Sequence, residues 1–190
     1  ITINEEGGCF YVPVTSAVLL FPPNSVEEEV TLTFSRVRHK DCEVKPRDGE
    51  VFVSQILKIE PEGVKFKKPV TVLLSHSLYE DQDFVHYYEL IVENLTTSGC
   101  QELKTEHVRS IEDFPKEISN KEILNNYLPF ARTCIHEACS LVGATRVRSE
   151  HISVPTDGSY TFSKQYGVSA QLKIMFPAGV AEEILSLKVQ

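Results

Sequence analysis

The chain has 190 residues, of which 42% are hydrophobic, 9% aromatic and 24% charged, and these proportions are typical of a globular protein that buries a core. Its formal charge of -8 opposes contact with a phosphate backbone, so the composition disfavours a nucleic-acid-binding function. No apolar run is long enough to cross a bilayer and no secretory signal pattern stands at the start. We therefore expect a soluble chain without membrane insertion.

Cysteine and histidine spacing argues against a metal site or a disulfide framework. The cysteines are odd in number, irregularly spaced and contain no CxxC pair, and the histidines show no ligand spacing. We expect no metal and no cofactor, and we expect reduced thiols in a cytoplasmic setting. The five cysteines are Cys9, Cys42, Cys100, Cys134 and Cys139.

The first part of the chain predicts short strands separated by turns. Runs of β-forming side chains alternate with loop-forming ones such as PPNS at residues 22–25. In the third run, Val30, Leu32 and Phe34 alternate with polar side chains and predict a strand with one apolar face. The polar, turn-rich residues 36–49 predict a connection. The runs lie at residues 9–12, 17–21 and 26–34.

Residues 50–76 predict three extended segments with a turn between the first two. Residues 51–59 place apolar side chains on one face and mixed side chains on the other. Turn chemistry follows in residues 60–63 (EPEG), so we expect the first two segments to form an antiparallel hairpin. Pro69 removes a ladder donor and predicts a break before the third segment.

The later part of the chain predicts a second hairpin, one helix and closing strands. Residues 85–95 and 100–108 read as the two arms of a hairpin. Residues 118–128 predict a short helix that Ser119 caps. Residues 131–147 predict one or two closing strands. The predicted fold is an all-β antiparallel sandwich with one short helix in a late connection.

The end of the chain repeats its beginning. Residues 18–34 (VLLFPPNSVEEEVTLTF) recur as residues 172–189 (LKIMFPAGVAEEILSLKV). We therefore expect a complete unit at residues 1–148 and the truncated start of a second unit at residues 149–190. A truncated unit exposes sheet edges, so we expect its strands to pair with the first unit or with another molecule as a homo-oligomer.

These features together resemble the ZU5 domain. The resemblance rests on the leading glycine pair, on the FPP turn before an acidic strand, and above all on residues 54–76 (SQILKIEPEGVKFKKPVTVLLSH). It covers about residues 7–148 as one copy and residues 152–190 as the start of a second. ZU5 domains occur in ankyrins, Unc-type netrin receptors, the zonula occludens scaffold and death-domain proteins. The resemblance implies a β-sandwich interaction module of a large cytoplasmic protein, and the tandem arrangement implies a death-domain-containing parent.

Some ZU5-domain proteins of the death-domain and inflammasome group cut themselves at a His-Phe-Ser sequence, where the serine hydroxyl attacks the preceding carbonyl. The matching residues here are Ala138, Cys139 and Ser140, so the nucleophile is kept and the motif histidine is absent. His136 lies two residues upstream of Ala138 and would share a strand face with Ser140. A nucleophile without a positioned base is not a catalytic site, so we expect an intact Cys139-Ser140 bond.

The lysines of the central stretch predict a basic patch on an acidic molecule. Such a patch attracts an acidic protein partner, and the resemblance implies the same, because the first copy in ankyrins binds spectrin through basic residues. A solvated strand face that discourages edge pairing is the other interpretation of these residues. The patch comprises Lys58, Lys65, Lys67 and Lys68, with Lys45 and Arg47 as neighbours.

Three functions follow as hypotheses. The first is a non-enzymatic cytoplasmic scaffold module that packs against other domains of its parent in a signalling assembly of the apoptotic, death-domain type. The second is a self-cleaving domain that is cut before Ser140. The third is a secreted ligand-binding sandwich, which would carry disulfides and a glycan on Asn94 of the Asn-Leu-Thr tripeptide.

Overall fold

The computed structural model divides the chain into two units. The first unit holds two large sheets and the second holds two pairs of strands. The first unit comprises Ile1–Leu78 and Leu90–Thr145, and the second comprises Tyr79–Glu89 and Arg146–Gln190. The structure describes residues 1–78, 88–118, 121–156, 159–166, 170–180 and 183–189.

One antiparallel sheet has five strands in the described part of the chain. In order across the sheet they are β11 (Glu106–Val108), β12 (Phe130–Glu137), β8 (Lys65–Ser75), β3 (Ala17–Phe21) and β2 (Gly8–Val12). The long strand β8 is central, and β2 and β11 lie at the two ends.

The second large sheet has six strands among the described residues. In order they are β10 (Gly99–Leu103), β9 (Tyr88–Thr96), β13 (Ser140–Val147), β7 (Ile56–Glu60) and β5 (Thr33–Val37), and β6 (Glu50–Phe52) pairs with β13. β9 and β10 form the predicted second hairpin, although residues 85–87 of its first arm lie outside the described residues. The predicted second arm of residues 100–108 is too long, because the chain leaves this sheet after Leu103 and β11 pairs with β12 in the other sheet. A short ribbon joins β1 (Thr2–Ile3) to β4 (Val30–Thr31).

The two large sheets enclose one apolar core, which confirms the predicted β-sandwich. Inward residues alternate with outward ones along the strands, as the period of two requires. Phe21 lies at the centre of the core and makes edge-to-face ring contacts with Phe10 at 5.9 Å and Phe66 at 5.6 Å. Burying a side chain of this size stabilises a fold by about 2–3 kcal/mol. Core residues of the two sheets include Leu19, Val72, Leu74, Ile135, Leu57, Ile59, Val92 and Leu141.

The predicted hairpin of residues 51–59 with the segment after the turn is wrong. β7 pairs with β5 and β13, whereas β8 pairs with β3 and β12 in the other sheet. Alternation identifies which face of a strand is apolar, but the same apolar face fits a hairpin arm and a strand of the facing sheet equally well. Residues 60–64 therefore carry the chain from one sheet to the other.

The predicted break at Pro69 is also absent, because β8 runs without interruption from Lys65 to Ser75. β8 itself accommodates the proline. Ile135 pairs with Val70 and Glu137 pairs with Lys65, so residues 66–69 of β8 stand against the single residue His136 of β12, which is a bulge on β8. A bulge removes the requirement for a regular ladder, and this explains how a proline lies inside a central strand.

The predicted helix is confirmed in a shortened form. It consists of α1 (Lys121–Leu124), continued by a 3-10 turn at Asn125–Tyr127, while its predicted cap Ser119 lies outside the described residues. Leu124 packs in a second apolar cluster on the outer face of the five-stranded sheet. The other buried members are Val18, Leu73, Val108, Phe114, Ile118 and Phe130. The connection from β11 to β12 therefore covers part of that outer face.

The second unit pairs β15 (Tyr160–Tyr166) with β16 (Ala170–Phe176), and β14 (Glu150–Val154) with β17 (Leu185–Val189). An inner hairpin is thus nested inside an outer strand pair. The first unit begins with the same nesting, since the β2–β3 hairpin lies between β1 and β4. The nesting matches the repeat seen in the sequence. The division into a complete and a truncated domain stays a prediction.

Candidate functional site

The residues of the predicted cleavage site lie at a corner where the chain crosses twice between the sheets. One crossing links β7 to β8 and the other links β12 to β13. Backbone hydrogen bonds join the two crossings: the Ile59 amide donates to the Cys139 carbonyl at 3.1 Å, and the Gly63 amide donates to the Ala138 carbonyl at 2.9 Å. The Ala138 amide donates to the Val64 carbonyl at 2.8 Å. The corner is therefore held by its backbone.

Ser140 and His136 do not share a strand face. β12 ends at Glu137 and β13 begins at Ser140, so the two residues belong to strands of different sheets. The Ser140 hydroxyl donates to the Glu62 carboxylate, with 3.2 Å between Oγ and Oε1. His136 is exposed at the end of β12. The predicted shared face required His136 and Ser140 to lie on one continuous strand, whereas the chain crosses between the two sheets after Glu137.

Cys139 lies buried between these residues, with 8% of its surface exposed. Burial raises the pKa of its thiol to about 12, and the nearby carboxylates of Glu137 and Glu62 act in the same direction. The group is therefore a neutral thiol at physiological pH and a poor nucleophile. Cys139 and His136 both line a small cavity of about 170 Å³.

The predicted basic patch is split between the two sheets. Lys58 lies on β7, directly opposite Ser140 of β13. Lys65, Lys67 and Lys68 lie on the exposed first part of β8, in the other sheet. Lys58 therefore lies on one side of the corner, and the three lysines of β8 lie on the other.

Carboxylates and carbonyls accompany most of these lysines. The Lys58 ammonium lies 2.8 Å from the Glu60 carboxylate, whose hydrogen bond and charge raise the pKa of Lys58. The Lys67 ammonium lies 3.7 Å from the Glu27 carboxylate, and the Lys68 ammonium donates to the Pro23 carbonyl at 2.6 Å. Lys65 stands opposite Glu137 in the ladder. The surface is thus mixed in charge rather than uniformly basic.

Lys45 and Arg47 belong to a different part of the first unit. The Lys45 ammonium donates to the Cys42 carbonyl within its own loop at 2.7 Å. The Arg47 guanidinium donates to the Cys100 carbonyl at 2.6 Å and lies 3.6 Å from the Glu93 carboxylate. Lys45 is engaged within the connection before β6 and Arg47 is engaged by β9 and β10, so neither extends the lysine group of β8.

An apolar groove beside β2 was not predicted from the sequence. It has a volume of about 500 Å³ and opens on the outer face of the five-stranded sheet, next to the part covered by the α1 connection. Cys9, Leu20 and Thr71 form its floor as directly paired residues of β2, β3 and β8. Pro22, Pro23 and Pro115 contribute to its walls, and Glu6 and Glu117 are its acidic lining residues.

The sequence contained only a partial signal for this groove. The proline pair at residues 22–23 was identified as a loop, and residues 17–21 were identified as a β-forming run whose two faces the sequence does not distinguish. The wall at Pro115 comes from a connection almost a hundred residues later, and no local pattern predicts that approach. Tertiary packing therefore creates the site.

Two histidines meet in a second, polar cavity of about 300 Å³. His39 and His76 both line it, and the His39 ring nitrogen Nε2 lies 2.8 Å from the Ser54 carbonyl oxygen. The structure thus brings together two of the histidines that are scattered in the sequence. Among the residues that the structure describes, no group of three or more histidine, cysteine, aspartate or glutamate side chains could hold a metal ion.

Asn94 lies in β9 with its side-chain oxygen buried, and it stands opposite Gln101 of β10. A half-buried strand position is a poor acceptor for a bulky glycan, which needs a surface loop. All five cysteines are free thiols. These two observations oppose the secreted-sandwich hypothesis.

Comparison with known proteins gives one family. The sequence model of the ZU5 domain matches residues 1–86, which contain β1 to β8. No curated protein sequence matches the chain. Within the described residues, no helix has both the length and the apolar character needed to span a membrane.

Proposed function

We propose that this chain is a non-enzymatic interaction and scaffold module of a larger signalling protein, because residues 1–86 match the model of the ZU5 domain, a family of protein-interaction modules. The parent is proposed to carry a death domain and to act in apoptotic signalling. In this proposal the module functions without cleavage of its chain before Ser140. Its proposed partners are other domains of the same parent.

The arrangement at the corner is the observation that supports an intact module over a self-cleaving one. Cleavage before Ser140 requires a base for the hydroxyl proton and an amide free to distort. The Cys139 carbonyl is held by the Ile59 amide at 3.1 Å, as part of the backbone contacts between the crossings. Glu62 is the group placed to accept the Ser140 proton, so it is the residue on which the self-cleaving alternative depends.

The proposal includes two contact surfaces. Lys65, Lys67 and Lys68 are the proposed contact for an acidic protein partner, since all three are exposed on one stretch of β8. Self-association through the second unit is proposed as a further contact. The proposed location is the cytoplasm, where free thiols such as these five persist.

The experiment compares the 190-residue chain with its full-length parent, first by intact mass and denaturing gel. We expect one uncut chain, and we expect Ser140→Ala and Glu62→Gln to give the same single band as the wild type. Two pieces separated at the Cys139-Ser140 bond in the wild type, and one piece in either variant, would overturn the proposal in favour of self-cleavage.

The second readout of this experiment is amide hydrogen exchange. An interaction module buries part of its surface against neighbouring domains, so amides of the first unit are expected to exchange more slowly in the parent than in the isolated chain. Lys65→Glu combined with Lys67→Glu is expected to reduce this protection, whereas the control Lys104→Glu leaves it unchanged. Identical exchange in the parent and in the isolated chain would contradict an interaction role.

A further inference from the structure

We propose that the free edge of β2 and the apolar groove beside it bind an extended peptide segment that carries an aliphatic side chain next to lysine or arginine. The peptide adds a strand to the five-stranded sheet and places the aliphatic side chain in the groove. This inference rests on the proposed interaction function and identifies the surface and the chemistry of one partner.

The position of β2 supplies the first argument. In the described part of the chain, β2 pairs with β3 on one side and with no strand on the other. Every second residue of such an edge strand directs its amide and carbonyl groups away from the sheet. An extended peptide satisfies these groups by strand addition, which is a common mode of peptide recognition.

The composition of β2 supplies the second argument. Proteins protect sheet edges from unwanted pairing by placing charged residues or prolines in edge strands. Among the strands at the ends of the two large sheets, β5 contains Arg36, β10 contains Glu102 and β11 contains Glu106. β2 has the sequence GCFYV, with neither a charge nor a proline. It is the unprotected edge of this set.

The groove explains which side chain the peptide would present. Residues that face each other across an antiparallel pair point to the same face of the sheet. Cys9 is exposed and lies on the groove face, together with its ladder partner Leu20. A peptide residue opposite Cys9 would therefore direct its side chain into the groove. The apolar floor and proline walls favour an aliphatic group, and about 500 Å³ is ample room for one.

The charge of the groove defines the residues next to that aliphatic group. The acidic lining residues Glu6 and Glu117 are both exposed, and no cation lines the groove among the residues that the structure describes. Glu5 precedes Glu6, and the whole chain has a formal charge of -8. The two lining carboxylates and the overall charge attract a basic segment, while Lys68, whose ammonium donates to the Pro23 carbonyl at 2.6 Å, is a cation next to the groove wall.

The test uses a phage-displayed library of random heptapeptides, selected on the purified 190-residue chain. The selected peptides are expected to place valine, isoleucine or leucine beside lysine or arginine. A synthetic peptide of the selected sequence should slow amide exchange within Gly8–Val12 and leave the edge strand Thr33–Val37 unchanged. Leu20→Arg is expected to abolish binding, because a long cation would occupy the groove.

Charge variants keep the test independent of folding. The double variant Glu6→Lys with Glu117→Lys changes two exposed side chains and should weaken peptide binding about tenfold. Glu122→Lys, an exposed residue of α1 outside the groove, should leave binding unchanged. Thermal unfolding followed by circular dichroism confirms that each variant is folded.

Three outcomes would overturn the inference: no peptide is selected, the selected peptides are acidic, or exchange slows at another edge. Each of them leaves the proposed function standing if the parent still protects the first unit from exchange. If the parent gives no protection and the selected peptide nevertheless binds at β2, the groove inference stands and the proposed packing within the parent fails.

Discussion

Gly7 shows how one residue fixes the start of β2. Its φ of 72° lies in the left-handed region, which residues with a side chain adopt only with strain. A methyl group at this position would overlap the Phe21 carbonyl oxygen and lie 2.8 Å from the Pro22 carbonyl carbon. The Gly7-Gly8 pair was evident in the sequence as an opening signal. Its steric cause was not, because the chain that approaches Gly7 lies fourteen residues later.

Gly7→Ala is expected to destabilise the first unit strongly. Gly49→Ala is the matched control, since its φ of 79° is similar and a methyl group there meets nothing within 4 Å. The control should lose about 1–2 kcal/mol from the left-handed conformation alone. Gly7→Ala should lose about 2 kcal/mol more, because the backbone must shift to relieve the overlap. Chemical denaturation of both variants measures the difference, and equal losses would contradict the steric argument.

At the scale of elements, a buried charge cluster fastens the connection before β6 to the six-stranded sheet. The Glu93 side chain is completely buried and the Glu50 side chain is 3% exposed. Arg47 lies 3.6 Å from the first carboxylate and 3.7 Å from the second. Burial and the Glu93 carboxylate raise the pKa of the neighbouring Cys100 thiol to about 11. The Arg47 guanidinium thus lies beside both buried carboxylates.

Arg47→Met is expected to destabilise the first unit by about 2 kcal/mol, because it leaves buried carboxylates without this cation. The value is below that of a fully buried pair, since 44% of the Arg47 side chain is exposed. Arg38→Met is the control, because Arg38 pairs with Asp41 on the surface of the same connection and should change stability by less than about 0.5 kcal/mol. Thermal unfolding measures both. A loss for Arg38→Met equal to that for Arg47→Met would refute the cluster's role.

The sequence predicted the strands better than it predicted their partners. Runs of β-forming side chains correctly predicted the strands β2 and β3, and alternation identified the apolar face around Leu32 and Phe34. The single strand predicted at residues 26–34 is wrong, because the structure divides it at Leu32 into β4, which pairs with β1, and β5, which pairs with β7. It joined β7 to β8 in one hairpin, because the EPEG turn was read as a reversal within a sheet rather than as a crossing between sheets. The same missing information placed His136 beside Ser140. Local pattern determines the face of a strand, and only long-range packing determines its neighbours.

At the scale of the whole molecule, the ZU5 family match covers fewer residues than the sandwich does. The match covers residues 1–86 and ends after β8. Both large sheets also need strands from later in the chain, because β12 pairs with β8 and β13 pairs with β7. The resemblance in the sequence was assigned to residues 7–148 on its motifs, from the glycine pair to the closing strand. In the structure, the later strands complete the ladders on both sides of the corner.

A chain of residues 1–86 is therefore expected to lack a cooperative unfolding transition, whereas residues 1–148 are expected to fold. Without β12 and β13, the shorter chain leaves core residues such as Val72 and Leu57 without one flanking strand. Circular dichroism melts and the dispersion of amide NMR signals distinguish the two chains. Cooperative melting of residues 1–86 alone would show that the later strands are dispensable.

The late arrival of β12 and β13 also matters during translation. Once β8 has left the ribosome, it can pair with β3 at once, but its other edge waits for residues 130–137. At ordinary synthesis speeds this delay is on the order of ten seconds. Val70, Val72 and Leu74 project from that half-paired strand throughout the interval. The nascent chain is consequently most prone to aggregate after residues 1–86 are synthesised and before β12 and β13 pair with them. A chaperone that binds extended apolar strands would act during this interval.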